Sequence, residues 1–287
     1  DKLALGAADY VVTEAGFGSD MGAEKFMHIK AANSGKSPDC VVMNVTVRSM
    51  KLHGGAFGDK ASRRPSKKEI EKEDVGAVTA GAETNLNRHI KNMLQFGMPV
   101  VVSVNRFASD TDAELEALTK CARNSGASSV CLTEVHAKGG AGGKELAKAV
   151  VSACQDHIAA GRPFTPLFNN DTPIEEKALR VATRIYGADG INILAKAGRQ
   201  LEQLKSWGYG ELPVCMAKTQ YSFSHDPNLL GAPSNFEIPI REFRLNSGAG
   251  FVVAVLGEIM TMPGLPKRPA ASDMDMDEDG NLLGVFG

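Results

Sequence analysis

The sequence predicts an α/β protein with a mostly parallel sheet covered by helices. Three consecutive features support this: a β-branched apolar run at 100–104, a capped amphipathic helix after it, and a second apolar run at 130–132. The first run has no helical period, as expected of a strand buried on both faces. Strand, helix and strand form one βαβ unit, and about 98% of such units are right-handed.

Upstream of this unit the sequence predicts two further strands, at 8–13 and 39–47. A helix is expected to begin within 22–29. The highly charged segment 59–75 is predicted to be a solvated insertion or a surface loop. One apolar face then marks a helix that ends before Pro99, with Leu86, Ile90, Met93 and Leu94 on that face.

Inside the unit, Thr111 and Glu114 form a capping box, and Gly126 is expected to end the helix. The glycine-rich stretch 138–144 resembles a phosphate-binding loop, but no glycine stands five positions before Gly143. Glu145 also replaces the Ser or Thr that would bind magnesium. The stretch is therefore predicted to lead into a helix at 145–160.

A Pro-rich connector at 163–166 predicts a boundary between domains 1–162 and 163–287. The second domain is expected to be a smaller α/β subdomain. A second capping box is predicted from Thr172 to Glu175, with helices at 172–186 and 199–207 and strands at 212–218 and 251–256. Residues 225–249 are predicted to be irregular, and 274–286 to form a terminal hairpin, without the twelfth-position glutamate that a calcium loop requires.

Ligands of open α/β sheets bind at the carboxyl ends of the strands. Residues 105–107 and 133–136 follow neighbouring strands, so they are expected to open into one crevice. Phe17, between two glycines, is either displayed by its loop or packed inside it. The predicted loop after strand 39–47 carries basic side chains that could hold an anion, namely Arg48, Lys51 and His53, although a lone histidine is usually structural.

The composition excludes several classes of partner. There are 32 basic and 34 acidic residues, a net charge of −2 and no basic stripe, so neither nucleic acid nor an anionic membrane is expected. No apolar run approaches the about 20 residues of a membrane helix. The five cysteines are scattered and are predicted to be reduced, with no disulfide or metal site, in the cytoplasm or alternatively an organellar matrix.

Seven stretches of the sequence resemble formate–tetrahydrofolate ligases, in the order of that family. They lie at 11–26, 45–55, 100–111, 137–143, 185–191, 216–224 and 262–271, and include VVTEAGFGSDMGAEKF, VTVRSMKLHGG and VVVSVNRFASDT. The resemblance covers roughly the second half of that enzyme. It implies the remainder of a P-loop-NTPase-like sheet, and the Walker A loop and the arginine near formyl phosphate have no counterpart here. The chain is therefore expected to be a fragment or a partial reading frame.

The resemblance implies ATP-dependent joining of formate to tetrahydrofolate through formyl phosphate, with MgATP as cosubstrate. Folate-binding residues would be Phe17, Phe107 and His136, where His136 stands at the position of the family's stacking tryptophan. Nucleotide-binding residues would be Asn105, Leu132, Thr133 and Glu134. Arg48, Lys51 and His53 belong to a family motif without an assigned step. The catalytic residues are expected in the other half.

Three hypotheses follow. The first is half of an ATP-dependent ligase, inactive alone and a homo-oligomer when full length. The second is a truncated, non-catalytic homologue that binds folate or a partner subunit. The third is an interaction module kept for assembly. An upstream phosphate loop would favour the first, and folate binding without turnover the second.

Overall fold

The computed structural model describes residues 1–58, 65–257, 268–280 and 282–284. The chain divides into two compact units, Asp1–Gly257 and Glu258–Gly287. The predicted boundary between residues 162 and 163 stays a prediction. All candidate site residues lie in the first unit.

The described part of the first unit contains three β-sheets. One is parallel, with β1, β2 and β3 side by side; the second pairs β4 with β6; the third has the order β5-β8-β7, with β7 antiparallel. The strands are β1 Val41–Val45, β2 Val100–Asn105, β3 Ser129–Thr133, β4 Gly190–Ile193, β5 Val214–Ala217, β6 Glu237–Ile240, β7 Glu242–Asn246 and β8 Phe251–Val255.

Helices connect and cover these strands. The α-helices are α1 Lys2–Leu5, α2 Ala32–Ser34, α3 Val47–His53, α4 Lys67–Glu71, α5 Val75–Gly81, α6 Asn87–Leu94, α7 Asp112–Asn124, α8 Val135–Lys138, α9 Lys144–Ala159, α10 Ile174–Val181 and α11 Ala195–Ser206. Wider π-helical turns lie at Gly18–Ala23, Phe26–Ala31, Ala82–Leu86 and Ala182–Tyr186, and a 3₁₀ helix at Gly139–Gly143. In the second unit, a 3₁₀ helix at Ala270–Asp273 precedes a hairpin of β9 Asp275–Met276 and β10 Leu282–Leu283.

Helices lie on both faces of the first sheet at β3. The Cys131 thiol lies 3.8 Å from the Glu145 carbonyl oxygen of α9, whereas the next side chain, Leu132, lines a groove with α7. Since successive side chains of a strand point to opposite faces, α9 and α7 lie on opposite sides of β3. The central strand β2 is buried from Val100 to Val104. This is the βαβ arrangement that the sequence predicts.

The α/β fold class is confirmed, and so is the capping box of α7, where the Glu114 amide donates to the Thr111 hydroxyl at 3.3 Å. Four sequence predictions are wrong. Residues 8–13 form no strand and are mostly exposed; the segment after β1 is helix α3 rather than a loop; α10 has Pro173, not Thr172, at its N-cap; and 225–249 contains β6 and β7. Of the charged segment 59–75, residues 59–64 lie outside the described residues, and the described part contains the short helix α4. Strand β4 was not predicted at all.

Helix α3 approaches α5 closely because glycine stands at the contact. A Cβ atom placed on Gly54 would lie 1.8 Å from the Ala77 carbonyl oxygen. Replacing Gly54 by alanine is therefore expected to lower the free energy of unfolding by about 1–3 kcal/mol, because backbone must move. Urea denaturation of the two proteins measures this difference.

Gly76, inside α5, provides the matched control. A Cβ atom there would meet only the Asp74 carboxylate oxygen, at 3.6 Å, which is ordinary contact. Gly76→Ala should leave stability unchanged or raise it by up to about 1 kcal/mol, since alanine is the better helix former. Equal effects of the two substitutions would contradict the close-approach explanation.

Candidate functional site

The carboxyl ends of β1, β2 and β3 are level with one another. Val45 pairs with Val104, and Asn105 pairs with Thr133, in the two parallel ladders. The segments that follow these strands therefore emerge at one edge of the sheet. This edge is where the sequence predicts ligand-contacting residues, and we call it the carboxyl edge.

Helix α3 begins immediately after β1 because Thr46 caps it. The Ser49 amide donates to the Thr46 hydroxyl at 3.1 Å, and the Thr46 amide donates to the Ser49 hydroxyl at 3.3 Å. This capping box places Arg48 in the first turn, beside the end of β2. The Arg48 guanidinium carbon lies 3.7 Å from the centroid of the Phe107 ring.

A tight turn fixes the backbone of Phe107. The Phe107 amide donates to the Asp110 carboxylate at 2.8 Å, and the Asp110 amide donates to the Phe107 carbonyl at 3.0 Å. Asp110 is buried, and burial raises the pKa of its carboxyl group. The Phe107 ring is half-buried at the carboxyl edge.

Lys51, one turn after Arg48, points into the protein. Its ammonium lies 2.7 Å from the Glu114 carboxylate and donates to the carbonyl oxygens of Ile70 and Lys72 at 3.1 and 2.8 Å. Both side chains of the pair are almost completely buried. Burial would raise the pKa of Glu114, but hydrogen bonds from Lys51 and from the Asp74 and Thr111 amides hold it below its ordinary value. Lys51 thus has no free face for a ligand anion.

His53 ends α3 and is neutral at physiological pH. Its Nδ1 atom accepts a hydrogen bond from the Gly231 amide at 3.2 Å, so this nitrogen carries no proton. Burial, followed by the nearby His89, lowers the pKa of His53 to about 4. Of the three basic residues predicted to hold an anion, only Arg48 therefore presents its charge at the carboxyl edge.

The predicted nucleotide-binding residues differ in accessibility. Thr133 is buried, and its hydroxyl lies 3.0 Å from that of Ser103 and donates to the Val104 carbonyl at 3.2 Å. Asn105 is half-buried, whereas 46% of Leu132 is exposed. Glu134 accepts a 2.5 Å hydrogen bond from Lys138, which lowers the pKa of its carboxyl group. Three of the four side chains are thus within reach of a ligand.

A groove of about 460 Å³ lies along α7, from Asp112 to Asn124, with Leu132 as its contribution from β3. It contains none of the other predicted site residues. The groove therefore lies beside the carboxyl edge and does not connect the predicted folate-binding residues with the predicted nucleotide-binding residues.

His136 and Phe17 are the remaining predicted folate residues. His136 is exposed in α8, which follows β3. The Phe17 ring is 89% exposed and immediately precedes the π-helical turn at Gly18. Among the described residues, no ring–ring contact joins Phe17 to Phe107 or His136.

A buried polar network, which the sequence did not predict, anchors the backbone after Phe17. The Asp20 carboxylate lies 2.5 Å from the Lys218 ammonium, and the Ser19 hydroxyl lies 2.7 Å from His89 Nδ1. Lys218 also donates to the carbonyl oxygens of Thr219 and Ser222. The available signal in the sequence was Lys218, a charged residue at the end of the predicted apolar strand 212–218.

This network also sets the protonation of its members. Burial would raise the pKa of Asp20, but Lys218 and His89 hold it below its ordinary value. Burial lowers the pKa of His89. Phe17 is thus exposed two residues before a buried pair, Ser19 and Asp20, that anchors the backbone.

No three histidine, cysteine, aspartate or glutamate side chains come together as metal ligands in the ranges that the structure describes. The described helices also include none long and apolar enough to span a membrane.

Comparison with known proteins gives a consistent result. The family model described as "Formate--tetrahydrofolate ligase" matches residues 1–286. A protein of that name from Symbiobacterium thermophilum is 48% identical over 286 residues, which are 99% of this chain and 49% of that protein. One of the same name from Staphylococcus aureus strain NCTC 8325 is 49% identical over 285 residues, with the same coverage of each chain. The chain thus spans about half the length of these curated relatives.

Proposed function

Given that this chain belongs to the formate–tetrahydrofolate ligase family, we propose that it supplies part of the folate and nucleotide site of an enzyme that joins formate to tetrahydrofolate with ATP. The observation that carries the proposal is the convergence of family-motif residues at the carboxyl edge. Arg48 and Phe107 are in contact there, and Glu134 follows the adjacent strand.

In the proposed reaction, a formate oxygen attacks the γ-phosphorus of ATP, which releases ADP and gives formyl phosphate. The N10 amine of tetrahydrofolate then attacks the formyl carbon, the amine loses its proton and phosphate leaves. Phe107, Phe17 and His136 would contact the reduced pterin. Their rings bind flat heterocycles by stacking, although imidazole offers less area than a larger aromatic ring.

Asn105, Leu132 and Glu134 are proposed to contact the adenine part of ATP. Thr133 would act through its backbone, since its hydroxyl is already bonded inside the sheet. The sequence contains no G-x-x-x-x-G-K-[ST] loop. Magnesium would accompany ATP as its phosphate partner, but the described residues of this chain offer no ligand set for it, so we assign it no step.

Because the phosphate loop is lacking, this chain is expected to bind tetrahydrofolate without turning over ATP. Phe107→Ala should raise the dissociation constant of tetrahydrofolate by about fivefold to a hundredfold, since stacking on one aromatic ring contributes about 1–3 kcal/mol. Equilibrium dialysis against tetrahydrofolate under anaerobic conditions measures both proteins.

Tyr10→Ala is the control, since Tyr10 is a half-exposed aromatic residue outside the carboxyl edge. Equal affinities of the two variants, or no folate binding by the unmodified chain, would contradict the proposal. A formyl-transfer assay of the full-length protein that contains this chain separates two hypotheses. Formyl transfer would indicate the ligase, and folate binding without transfer would indicate a non-catalytic homologue. A homo-oligomeric assembly and a cytoplasmic location stay predictions.

A further inference from the structure

Arg48 and Phe107 follow neighbouring strands at equivalent distances. Val45 of β1 is level with Val104 of β2, and each of the two residues stands three positions further along its chain. The guanidinium carbon lies 3.7 Å from the ring centroid, so the cation covers one face of the phenyl ring. A flat ligand that leaves this contact intact has only the other face of Phe107 available.

Two neighbouring groups act on the guanidinium. Its Nε atom is buried and has no hydrogen-bond partner among the described residues. The negative charge of Asp110 attracts the guanidinium, and the Phe107 ring is the surface on which it lies. Arg48 is half-buried, which limits how far water weakens the attraction between cation and ring.

Both ends of the contact are fixed independently. On one side, the Lys51–Glu114 ion pair ties α3 to α7, with 2.7 Å between the charged atoms. On the other, Asp110 holds the Phe107 amide at 2.8 Å. The ring and the guanidinium thus meet between two anchored backbones, and neither needs a ligand to take up its position.

From this geometry we propose that Arg48 is a positioning residue for Phe107. Its guanidinium occupies one ring face and holds the ring plane, so that the reduced pterin stacks on the opposite face in a single orientation. This rests on the folate role proposed for Phe107. It differs from the anion-binding role, in which Arg48 would leave the ring and contact a ligand carboxylate or phosphate.

Two ligands separate these roles: tetrahydrofolate, and 6-methyltetrahydropterin, which has the ring system without the glutamate carboxylates. Arg48→Met keeps the length and apolar stem of the side chain. We expect it to raise the dissociation constants of both ligands by about tenfold, whereas Arg48→Lys, which keeps the charge but loses the plane, should recover only part of the affinity. Arg199→Met, at an exposed arginine of α11, should change neither constant.

A loss confined to tetrahydrofolate, or full recovery by Arg48→Lys, would overturn the positioning role in favour of anion binding. Equal affinities of Arg48→Met and Arg199→Met would overturn it while leaving the proposed function intact. Absence of binding of both ligands to the unmodified chain would overturn the proposed function, and with it the ligand part of this proposal.

A measurement without ligand tests whether Arg48 itself acts on the Phe107 ring. With 4-fluorophenylalanine incorporated at position 107, the fluorine resonance should move by more than its linewidth when Arg48 becomes methionine, since the ring loses its charged neighbour. Arg199→Met should leave the resonance in place. An unmoved resonance in the Arg48→Met protein would overturn the positioning role whatever the folate result.

Discussion

Lys51→Met is expected to lower the free energy of unfolding of this chain by about 3–5 kcal/mol, because it leaves the buried Glu114 carboxylate without its counter-ion. The two charged atoms are 2.7 Å apart, and both side chains are almost fully excluded from water. The remaining partners of Glu114 are the amides of Asp74 and Thr111, at 2.8 and 3.2 Å. Urea denaturation at pH 7 measures the loss.

Two further variants test the cause. Lys51→Met combined with Glu114→Gln should lose less than Lys51→Met alone, since glutamine is neutral and still accepts the two amide hydrogen bonds. Lys138→Met removes the exposed pair with Glu134, and a surface pair contributes about 1 kcal/mol at most. If Lys51→Met were no more costly than Lys138→Met, the structural role of Lys51 would be refuted.

The sequence was informative where the signal is local. The valine run of β2 and the Thr111–Glu114 capping box each specify their structure within a few residues, and both are confirmed. The edge position of β1 was not predicted. Val42 is 45% exposed although its neighbours are apolar, because exposure depends on which elements cover the strand. A run of apolar residues does not show which elements pack against the strand.

Loops and helices near glycines were the weakest part of the prediction. The Thr46–Ser49 capping box was present in the sequence, but the paired glycines after His53 favoured a loop. Conversely, Thr172 lies in a capping pattern, yet α10 begins after Pro173 without a side-chain cap. The same short sequence pattern forms a capping box at one helix and not at another, depending on the packing around it.

The direction of a long charged side chain was also beyond the sequence. Arg48 and Lys51 are three residues apart in one motif, yet one stacks on Phe107 and the other forms an internal ion pair. Their partners, Phe107 and Glu114, lie more than one element away in sequence. Family resemblance identified the segment, whereas only tertiary contacts separate a residue that faces the carboxyl edge from one that holds it together.

The Asp20–Lys218 pair leads to the second large expected effect. Lys218→Met should lower the free energy of unfolding at pH 7 by about 3–5 kcal/mol, because Asp20 would keep a buried charge with no ion-pair partner. Asp20→Asn should cost less, since Lys218 retains the carbonyl oxygens of Thr219 and Ser222 as acceptors. Lys30→Met, which removes a partly exposed pair with Asp1, is the control and should cost about 1 kcal/mol at most.

The pH dependence of this loss identifies its origin. In the unmodified chain the folded-state pKa of Asp20 is below its ordinary value of 3.8, so the carboxylate contributes stability above that pH and loses it as the pH falls through the folded-state pKa. Without Lys218, burial dominates and should raise the folded-state pKa above 3.8. Folded Lys218→Met then binds a proton more readily than its unfolded chain does. Its loss of unfolding free energy relative to the unmodified chain should therefore shrink as the pH falls from 7 towards 4. A deficit that stays constant from pH 7 down to pH 4 would mean that lost packing, rather than an unpaired carboxylate, causes the effect.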